Sequence, residues 1–422
     1  MSRIDDLIAE HCPDGVEFKE LQELFITKNG YTPSTTNKAY WTDGTVPWFR
    51  MEDIRENGRI LSESLQQIAE EAVKGGRLFP ANSIIVATSA TIGEHALITI
   101  PHLSNQRFTS LALKPEFAER LDMKFVFYYC FVLDDWCRSN TTTSSFASVE
   151  MNGFKKFRFP MPPLEIQREI VKVLDTFTKL EAELEAELEA RRRQYKYYRD
   201  ALLTFGERTD AGASKQASKQ ASKQARITTL GEVATIVRGA SPRPIQSFLT
   251  EANDGVPWIK IGDVASAGKY ITATAERVTA AGAEKSRRIR PGDFVLSNSM
   301  SFGRPYISKI EGCIHDGWLS ISGFGDSFVP DFLYHLLRSA PVQAEFARRA
   351  GAGTVQNLNA DIVKSVQIPV PPMEEQERIA AILDKFDALV NDLSSGLPAE
   401  IKARRQQYEH YRDRLLSFRE AA

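Results

Sequence analysis

Two long stretches of the chain repeat apolar residues at spacings that alternate between four and three. A period of 3.5 residues predicts an α-helix with a coiled-coil seam, which requires a partner helix. The first stretch follows the prolines of 160–163, and Glu181 and Arg191 interrupt it. Its apolar positions are Ile170, Leu174, Phe177, Leu184, Leu188, Tyr195, Tyr198, Leu202 and Phe205. From Leu164 to Phe205 the helix would be about 60 Å long at the α-helical rise.

The second stretch begins the same seam at Ile379, Leu383, Phe386, Val390 and Leu393. Residues 394–398 (SSGLP) predict a kink or a fresh helix start, because Gly and Pro break a helix and Pro suits a first helical position. The spacing resumes after Arg404 through Tyr408, Tyr411, Leu415 and Phe418. We expect the two seams to pack antiparallel within one chain, and a homodimeric coiled coil is the alternative.

The remaining sequence predicts mixed β structure with turns. Short runs rich in Val, Ile and Phe, such as 83–88 and 293–297, are separated by Gly and Pro. Together with the helices, these runs predict an α+β fold. It would have two similar mixed α/β domains separated by two long antiparallel coiled-coil helices, with an internal pseudo-twofold axis.

The fold prediction rests on an internal duplication of about 200 residues, far longer than a solenoid repeat. Five segments match in the same order in both halves, which chance does not produce. The matched segments are 21–33 with 230–242, 46–53 with 256–263, 80–93 with 291–303, 159–167 with 368–376, and 192–205 with 405–418.

The duplication predicts five parts along the chain. A first mixed α/β domain would span 1–160 and a central spacer helix 161–206. A linker would cover 207–226, a second mixed α/β domain 227–369, and a C-terminal spacer helix 370–420, broken near 394–398.

Two four-residue tandem repeats lie in and after the first helix. LEAE occurs twice from Leu180, and ASKQ occurs three times from Ala213. Four residues are about one helical turn, so one added unit lengthens a helix by about 6 Å with little change of face. We interpret LEAE as a measured spacer, with helix-forming filler as the alternative. The ASKQ repeats are better explained as a polar linker.

Composition excludes several classes of protein. The 422 residues have 26% charged side chains, and no apolar run reaches the roughly 18 residues that a membrane span needs. The N-terminal residues are acidic rather than a signal peptide, which predicts a cytoplasmic location. Four scattered cysteines and six histidines predict neither a disulfide framework nor a zinc site.

No catalytic motif is apparent. The glycines of 262–269 are misplaced for a phosphate loop, and Tyr270 stands where that loop needs Ser or Thr. The segments 161–164 and 370–373 lack the Asn or Asp and the aromatic residue of an amino-methyltransferase motif. Hydrolase, zinc-protease and dinucleotide fingerprints are also missing from the sequence. We therefore expect no catalysis and no metal or cofactor site in this chain.

A duplicated protein with a pseudo-twofold axis suits duplex DNA, whose backbone is itself pseudo-twofold. A rigid spacer would place two readers on one DNA face, about one helical turn or 34 Å apart. Because the domains differ in detail, the target would be bipartite and asymmetric, with unread base pairs between the half-sites. The net charge of −2 argues against a free-standing DNA binder, which is usually basic.

The chain resembles the specificity subunit of type I restriction–modification systems over essentially its whole length. The motifs that carry the resemblance are V-P-W-x-x-x-x-D (46–53, 256–263), P-x-P-P-x-E-x-Q (160–167, 369–376) and R-x-Q-Y-x-x-Y-R-D-x-L-L-x-F (192–205, 405–418). The LEAE repeat resembles the repeats with which that family sets half-site spacing. The ASKQ linker has no place in the family pattern.

The resemblance implies double-stranded DNA and two modification subunits as partners. In that family the modification subunits bind S-adenosylmethionine and methylate adenine N6, and restriction subunits cleave DNA with ATP and Mg²⁺. The partners would also supply much of the phosphate contact, which eases the charge problem.

Candidate DNA contacts are loop residues that combine polar and basic side chains, because phosphate contacts position a protein and polar side chains read bases. In the first domain they are Tyr31, Thr32, Ser34, Arg50, Thr88, Ser89, Thr91, Arg107 and the run 140–145. In the second they are Arg238, Ser241, Arg243, Lys260, Asn298, Ser299, Arg304, Gln356 and Asn357. The basic cluster 285–290 is either a phosphate contact or a solvated turn. Trp48 and Trp258 lie in apolar runs, which favours core packing over base stacking.

A second predicted surface binds partner proteins near the helix ends. Aromatic residues and Arg are common interface anchors, and the candidates are Tyr197, Tyr198, Arg199, Tyr408, Tyr411 and Arg412. The acidic stretch 181–189 and the basic stretch 191–199 either pair with an antiparallel neighbour or form a solvated face. Two other functions stay open: a coiled-coil scaffold with no DNA role, and an enzyme acting on DNA.

Overall fold

Strand-forming and helix-forming segments follow one another in the same order in both copies of the duplicated sequence. The computed structural model of the chain describes residues 3–142, 147–205, 225–264, 268–298, 302–350, 357–392 and 394–421. The chain divides into two compact units. Unit 1 comprises Met1–Ala182 and Arg404–Ala422, and unit 2 comprises Glu183–Ala403.

The helices range from single turns to the 39-residue helix α6. They are α1 (Arg3–His11), α2 (Leu21–Leu24), α3 (Met51–Asn57), α4 (Met123–Ser139), α5 (Met151–Lys156), α6 (Leu164–Leu202), α7 (Leu230–Val233), α8 (Ala280–Glu284), α9 (Pro330–Leu337), α10 (Ala340–Ala350), α11 (Ala360–Lys364), α12 (Met373–Asn391) and α13 (Leu397–Leu415).

The strands of unit 1 are β1 (Phe18–Glu20), β2 (Phe25–Asn29), β3 (Val46–Phe49), β4 (Ile60–Leu61), β5 (Gln67–Ile68), β6 (Ser83–Ala87), β7 (His95–Ile98), β8 (Leu103–Ser104), β9 (Phe108–Leu113) and β10 (Arg158–Pro160). They form a five-stranded sheet in the order β2-β9-β6-β7-β4, a three-stranded sheet β5-β3-β8 and the pair β1-β10. The pairs β4·β7 and β3·β8 are parallel. All five residues of the central strand β6 are buried, as expected for a short continuous apolar run.

The strands of unit 2 are β11 (Arg226–Thr229), β12 (Thr235–Arg238), β13 (Leu249–Thr250), β14 (Val256–Ile259), β15 (Tyr270–Ile271), β16 (Glu276–Val278), β17 (Arg287–Ile289), β18 (Phe294–Ser297), β19 (Pro305–Ser308), β20 (Gly312–Ile314), β21 (Trp318–Ser322) and β22 (Gln367–Val370). Their sheets are β12-β21-β18-β19-β15, β13-β16-β14-β20-β17 and β11-β22. The first sheet has the same order as the large sheet of unit 1. The second contains the equivalent of β5-β3-β8 with one further strand at each edge. The structure thus confirms two similar mixed α/β domains.

Buried glutamines join the long helices to the domains. The Gln167 side chain, fully buried, donates to the carbonyl oxygens of Pro162 and Arg120 and accepts from the Asp122 backbone N–H at 2.8 Å. Gln376 makes the equivalent bonds to Pro371, Ser327 and Val329. The Gln of the P-x-P-P-x-E-x-Q motif therefore fastens the first turn of α6, and likewise of α12, to the segment before α4 or α9.

The two seams pack against helices of the same chain. In unit 1, the ring of Phe177 on α6 stacks on Tyr411 of α13 at 5.5 Å, and Glu181 accepts a hydrogen bond from Arg405. As the residue number rises along α6, that of its contact on α13 falls, so the two segments run antiparallel, as predicted.

The closing motif of each copy packs on the domain of the other copy. Phe418, at the end of the second copy, packs edge-on against Phe125 of α4 in unit 1 at 6.1 Å. Phe205, at the end of the first copy, packs against Phe332 of α9 in unit 2 at 6.5 Å. Each unit thus combines one domain with the closing motif of the other copy.

Several boundaries differ slightly from the sequence expectations. Helix α6 ends at Leu202 rather than Phe205, and β6 and β18 each lose one residue of the predicted runs. In the second stretch, α12 ends at Asn391 and α13 begins at Leu397, so a new helix starts within the SSGLP segment, with Pro398 in its first turn. Leu393 and the ASKQ repeats lie outside the described residues. Within the described part of the chain, no helix combines the length and apolar character needed to cross a bilayer.

Candidate nucleic-acid interface

The Asp of the V-P-W-x-x-x-x-D motif fixes the loop that follows β3 or β14. Asp53, fully buried, accepts the backbone N–H groups of Arg50 at 2.7 Å and Leu65 at 2.6 Å. In unit 2, Asp263 accepts those of Lys260 at 2.7 Å and Ala275 at 3.0 Å. The motif therefore holds a basic residue in the same backbone setting in each domain.

The two basic residues have different surroundings. The guanidinium of Arg50 lies over the Trp48 ring at 5.7 Å, and its buried Nε has no hydrogen-bond partner among the described residues. The Nε of Arg50 lies 4.0 Å from the Glu52 carboxylate, whereas the ammonium of Lys260 forms a closer pair with Glu276 at 2.5 Å. The tryptophans of both motifs are buried, 4% exposed for Trp48 and 2% for Trp258. Their predicted place in the core is confirmed.

Arg50 opens onto a surface groove of about 410 Å³ in unit 1. The groove is lined by Thr32, Thr35, Lys38, Trp41, Thr42, Trp48, Arg50 and Gln66. Basic side chains, hydroxyls and aromatic rings together can hold phosphate and contact bases. The predicted contacts Thr32 and Arg50 therefore share one surface.

In both units, the loop after the first strand of the large sheet rests on a second loop. A Cβ at Gly30 would lie 2.2 Å from the Asn105 carbonyl oxygen, and one at Gly239 would lie 2.0 Å from that of His315. Only glycine permits this approach. It brings the hydroxyl of Thr32 into contact with Gln106, and at the equivalent place Ser241 donates to Asp316 at 2.8 Å.

Asp316 gathers four of the predicted contacts in unit 2. Its backbone oxygen accepts from Arg238 Nε and from Asn298 Nδ2, both at 3.0 Å. Its carboxylate accepts from Ser241 and lies 3.6 Å from the guanidinium of Arg243. The Ser241 hydrogen bond lowers the pKa of this carboxyl, so Asp316 is ionised at neutral pH.

The end of the central strand brings further predicted residues to this edge of the sheet. The backbone N–H of Thr88 donates to the Arg107 carbonyl at 2.9 Å, and the Thr88 carbonyl accepts from Val149 at 2.9 Å. Ser89 forms a β-bridge with Ser148. In unit 2, the Asn298 carbonyl accepts from Leu358 at 2.8 Å. Thr32, Thr88, Ser89 and Arg107 thus lie around one loop cluster.

The remaining candidates are more scattered. The Tyr31 hydroxyl donates to Ala72 and accepts from the Lys74 backbone, so it holds neighbouring loops together. Ser34 is exposed next to Thr36, Thr91 follows Ser89 in the β6–β7 turn, and Asn357 is exposed. Arg304 lies over the ring of Tyr306 at 5.5 Å. Ser299, Gln356 and residues 143–145 lie outside the described residues.

The sequence analysis did not name four polar residues that lie beside the candidate contacts, namely Gln106, Asp316, Lys38 and Thr42. The first two lie between strands β8 and β9, and β20 and β21, in turns that had no aligned motif. One signal could have identified Gln106 and Asp316. Each lies two positions before the aromatic residue that begins the next strand, Phe108 in β9 and Trp318 in β21.

The basic cluster 285–290 has exposed side chains on and beside β17. Arg287, Arg288 and Arg290 are exposed, and Arg288 lies 3.5 Å from Glu311. Strand β17 has no counterpart among the named strands of unit 1. Because residues 287–289 form a strand rather than a turn, the solvated-turn alternative is wrong in its secondary structure, and the phosphate contact stays a prediction.

The predicted partner-binding residues divide into exposed and packed side chains. Tyr197 is 63% exposed, and Tyr198 and Tyr411 are less so. Tyr198 stacks on Phe386 at 5.6 Å, and Tyr408 packs beside Phe177 at 6.3 Å. The side chains of Arg199 and Arg412 are largely buried. Of these six residues, Tyr197 offers the most accessible surface.

Charged side chains of α6 pair both within the helix and with α13. Arg191 bonds to Glu187 at 3.2 Å and Arg192 to Glu189 at 2.9 Å, one turn apart. Between helices, Glu181 bonds to Arg405. In the described ranges, no group of three or more His, Cys, Asp or Glu residues is arranged to hold a metal ion.

Comparisons with known proteins agree with this architecture. A family model described as "Type I restriction modification DNA specificity domain" matches residues 13–190 and 223–403. The specificity subunit of the type I restriction enzyme EcoprrI from Escherichia coli is 42% identical over 402 residues, 91% of each chain. That of EcoR124I/EcoR124II from the same organism is 31% identical, over 70% of this chain and 71% of the relative.

Solved structures share the fold. A structure described as the basis of complex assembly and conformational transition of the type I R-M system superposes with a TM-score of 0.66 at 21% identity. The match covers 96% of this chain and 98% of that one. The HsdS subunit from Thermoanaerobacter tengcongensis superposes with a TM-score of 0.51 at 19% identity, covering 96% and 97% of the two chains. With two matched domains and a relative of this length and identity, the chain belongs to the type I restriction–modification DNA specificity subunits.

Proposed function

We propose that the two domains read two different DNA half-sites, and that the paired helices set the gap between them. As a specificity subunit the chain carries no catalysis of its own. It acts with methylase and restriction subunits and binds DNA. Two modification subunits with S-adenosylmethionine would methylate adenine, and restriction subunits with ATP and Mg²⁺ would cleave, within the cytoplasm.

The observation that supports this proposal is that both units pack the same two loops together but carry different polar side chains on them. The close-packed glycine and the hydroxyl contact to the second loop are the same in both units. The side chains at equivalent positions differ, however: Arg50 corresponds to Lys260, Thr88 to Asn298, and Gln106 to Asp316. A shared scaffold with different polar side chains is suited to two targets of different sequence.

The LEAE repeat is in the right place for a spacer. Residues 180–187 lie within α6 where the chain passes from unit 1 to unit 2, between Ala182 and Glu183. Tyr195 lies 32 positions after Pro163, whereas Tyr408 lies 36 positions after Pro372. The two arms therefore differ by one four-residue unit, and a change of unit number alters length with little rotation.

Selection from random duplex DNA tests the proposal. The complex of this chain with its modification subunit is incubated with a random library, and bound duplexes are sequenced. We expect two short conserved blocks of different sequence separated by an unconserved gap. The modification subunit alone is the control and should enrich no such pair. If both preparations enrich the same sequences, or none, the chain is a protein scaffold and the proposal is wrong.

A further inference from the structure

Gln106 and Asp316 occupy the same position in the two units. Each lies in the short loop that follows the parallel pair β3·β8 or β14·β20, before β9 or β21. Each side chain contacts the hydroxyl of the residue two positions after the close-packed glycine, Thr32 or Ser241. The duplication has kept the geometry and changed the polar group.

Hydrogen bonds hold the loop of Asp316 in place, and its carboxylate stays accessible beside Ser241 and Arg243. Its backbone oxygen accepts two hydrogen bonds, from Arg238 and Asn298, and its N–H donates to Ser241 Oγ at 3.3 Å. The side chain remains 43% exposed. A group so fixed loses little conformational entropy when it binds a partner.

Hydrogen-bond chemistry distinguishes the two residues. An ionised carboxylate only accepts, and its four lone-pair sites exceed what the Ser241 hydroxyl uses. A glutamine amide both donates and accepts. In the DNA major groove, a carboxylate that only accepts hydrogen bonds can pair with an exocyclic amino group, such as N4 of cytosine. A glutamine matches adenine, with N6 as donor and N7 as acceptor.

We propose that Asp316 and Gln106 are base-reading residues, each determining one base pair in the half-site of its own domain. Asp316 selects a base with an exocyclic amino group, most simply cytosine, and Gln106 selects adenine. Arg243, whose side chain is 83% exposed, lies beside Asp316 and contacts the neighbouring phosphate. The inference rests on the proposed function of reading two half-sites.

The test compares base preferences of the complete complex with its modification subunit. Asp316→Asn keeps the shape of the side chain and adds an amide donor. Random-duplex selection should then lose about 10-fold or more of the discrimination at one base pair of one half-site. The other half-site should be unchanged. Gln106→Glu should alter one base pair of the other half-site alone.

Asp326→Asn is the matched control, since Asp326 is an exposed acid of the same unit without a loop contact of this kind. It should leave both half-sites as in the wild type. Thermal unfolding of each variant shows whether its fold is kept. A reduced affinity that is equal for all sequences would assign Asp316 a structural role and overturn the inference.

Unchanged base preferences in both variants would also overturn it, while the two-half-site function would stand. If the wild-type complex itself selects no pair of conserved blocks, the proposed function fails as well. The result expected here is a change confined to one base pair per variant.

Discussion

At the residue scale, Asp53 acts on the backbone of its own domain. Its buried carboxylate accepts two backbone N–H groups and thereby shapes the turn that presents Arg50. Asp263 does the same for Lys260. The Asp of the V-P-W-x-x-x-x-D motif is therefore needed to hold the backbone of this turn. The basic residue three positions before it, Arg50 or Lys260, can differ between the units.

Asp53→Ala should lower the free energy of unfolding by about 2 kcal/mol or more, because two buried N–H groups lose a charged acceptor. Urea denaturation of the variant and the wild type measures the difference. Glu56→Ala, on the exposed side of α3, is the control and should change stability by less than about 0.5 kcal/mol. Equal effects of the two substitutions would contradict the assigned role of Asp53.

His102 links stability to pH. It is fully buried between the rings of Phe49 and Phe79, with centroids 5.6 Å away, and bonds to the Ile100 carbonyl. Burial lowers the pKa of His102 to about 4, from 6.5 in an exposed histidine. As pH falls below about 6.5, the unfolded chain therefore binds a proton that the folded chain does not.

This linkage predicts that stability falls as pH is lowered from about 6.5 to about 4. Between about pH 7 and pH 5, His102 should account for a loss of about 2 kcal/mol. His102→Gln should remove that part of the pH dependence, as measured by urea denaturation at both pH values. His11→Gln, at an exposed position, should retain the wild-type slope. A slope unchanged in His102→Gln would show that the buried imidazole does not titrate in this way.

At the residue level, the duplication marked several of the candidate DNA contacts, and their role in binding DNA stays a prediction. Thr32, Ser241 and Asn298 were predicted from matched segments, and the structure places them at one sheet edge in their respective units. Gln106 and Asp316 come from a short turn whose sequence differs between the copies. Their contacts with Thr32 and Ser241 depend on the close approach of the loop at Gly30 or Gly239, which no local sequence pattern reveals.

At the scale of elements, the helices were the most predictable part of the fold. The 3.5-residue spacing and the prolines before Leu164 indicated where α6 begins, because Pro can start a helix but not continue one. The sequence placed the end of α6 at Phe205, three residues beyond its end at Leu202 in the structure. Phe205 fits the seam by spacing, but it packs against Phe332 from outside the helix.

The links between helices and domains are also duplicated, although their chemistry has changed. In unit 1, Asp175 of α6 bonds to the Tyr128 hydroxyl at 2.7 Å and to Lys124 at 2.6 Å. At the equivalent place in unit 2, Asp384 bonds to His335 at 2.8 Å and to Lys269 at 2.7 Å. The position of each domain on its helix is thus fixed by polar contacts as well as by the buried glutamines.

Inserting one more LEAE unit after Glu187 should widen the gap between the half-sites and leave both half-sites unchanged. The insertion adds about 6 Å of helix and about 40° of rotation. Sequencing of duplexes selected by the variant complex measures gap and half-sites together. As a control, inserting one ASKQ unit after Gln224 should leave the gap as it is. A change in either half-site would contradict the spacer role of α6.

At the scale of the whole molecule, each compact unit contains residues from both copies of the duplicated sequence. The closing motif of the second copy completes unit 1, and that of the first copy completes unit 2. This exchange follows from helices that leave one domain and end on the other.

The overall charge of −2 is consistent with a subunit that reads DNA within a larger assembly. Phosphate contacts provide much of the affinity of a DNA-binding protein, and they require Lys and Arg. Here the basic side chains are grouped in small sets, such as Lys38 with Arg50, and Arg287 with Arg288 and Arg290. Most of the phosphate contact would then come from the partner subunits.

Mapping adenine methylation across the genome of cells that express this chain with its modification subunit tests the central claim most directly. Two unlike readers on one chain predict a single bipartite motif, with two different half-sites and a fixed unread gap. Cells expressing the modification subunit alone provide the background. A contiguous motif, or a palindrome with identical halves, would contradict the account.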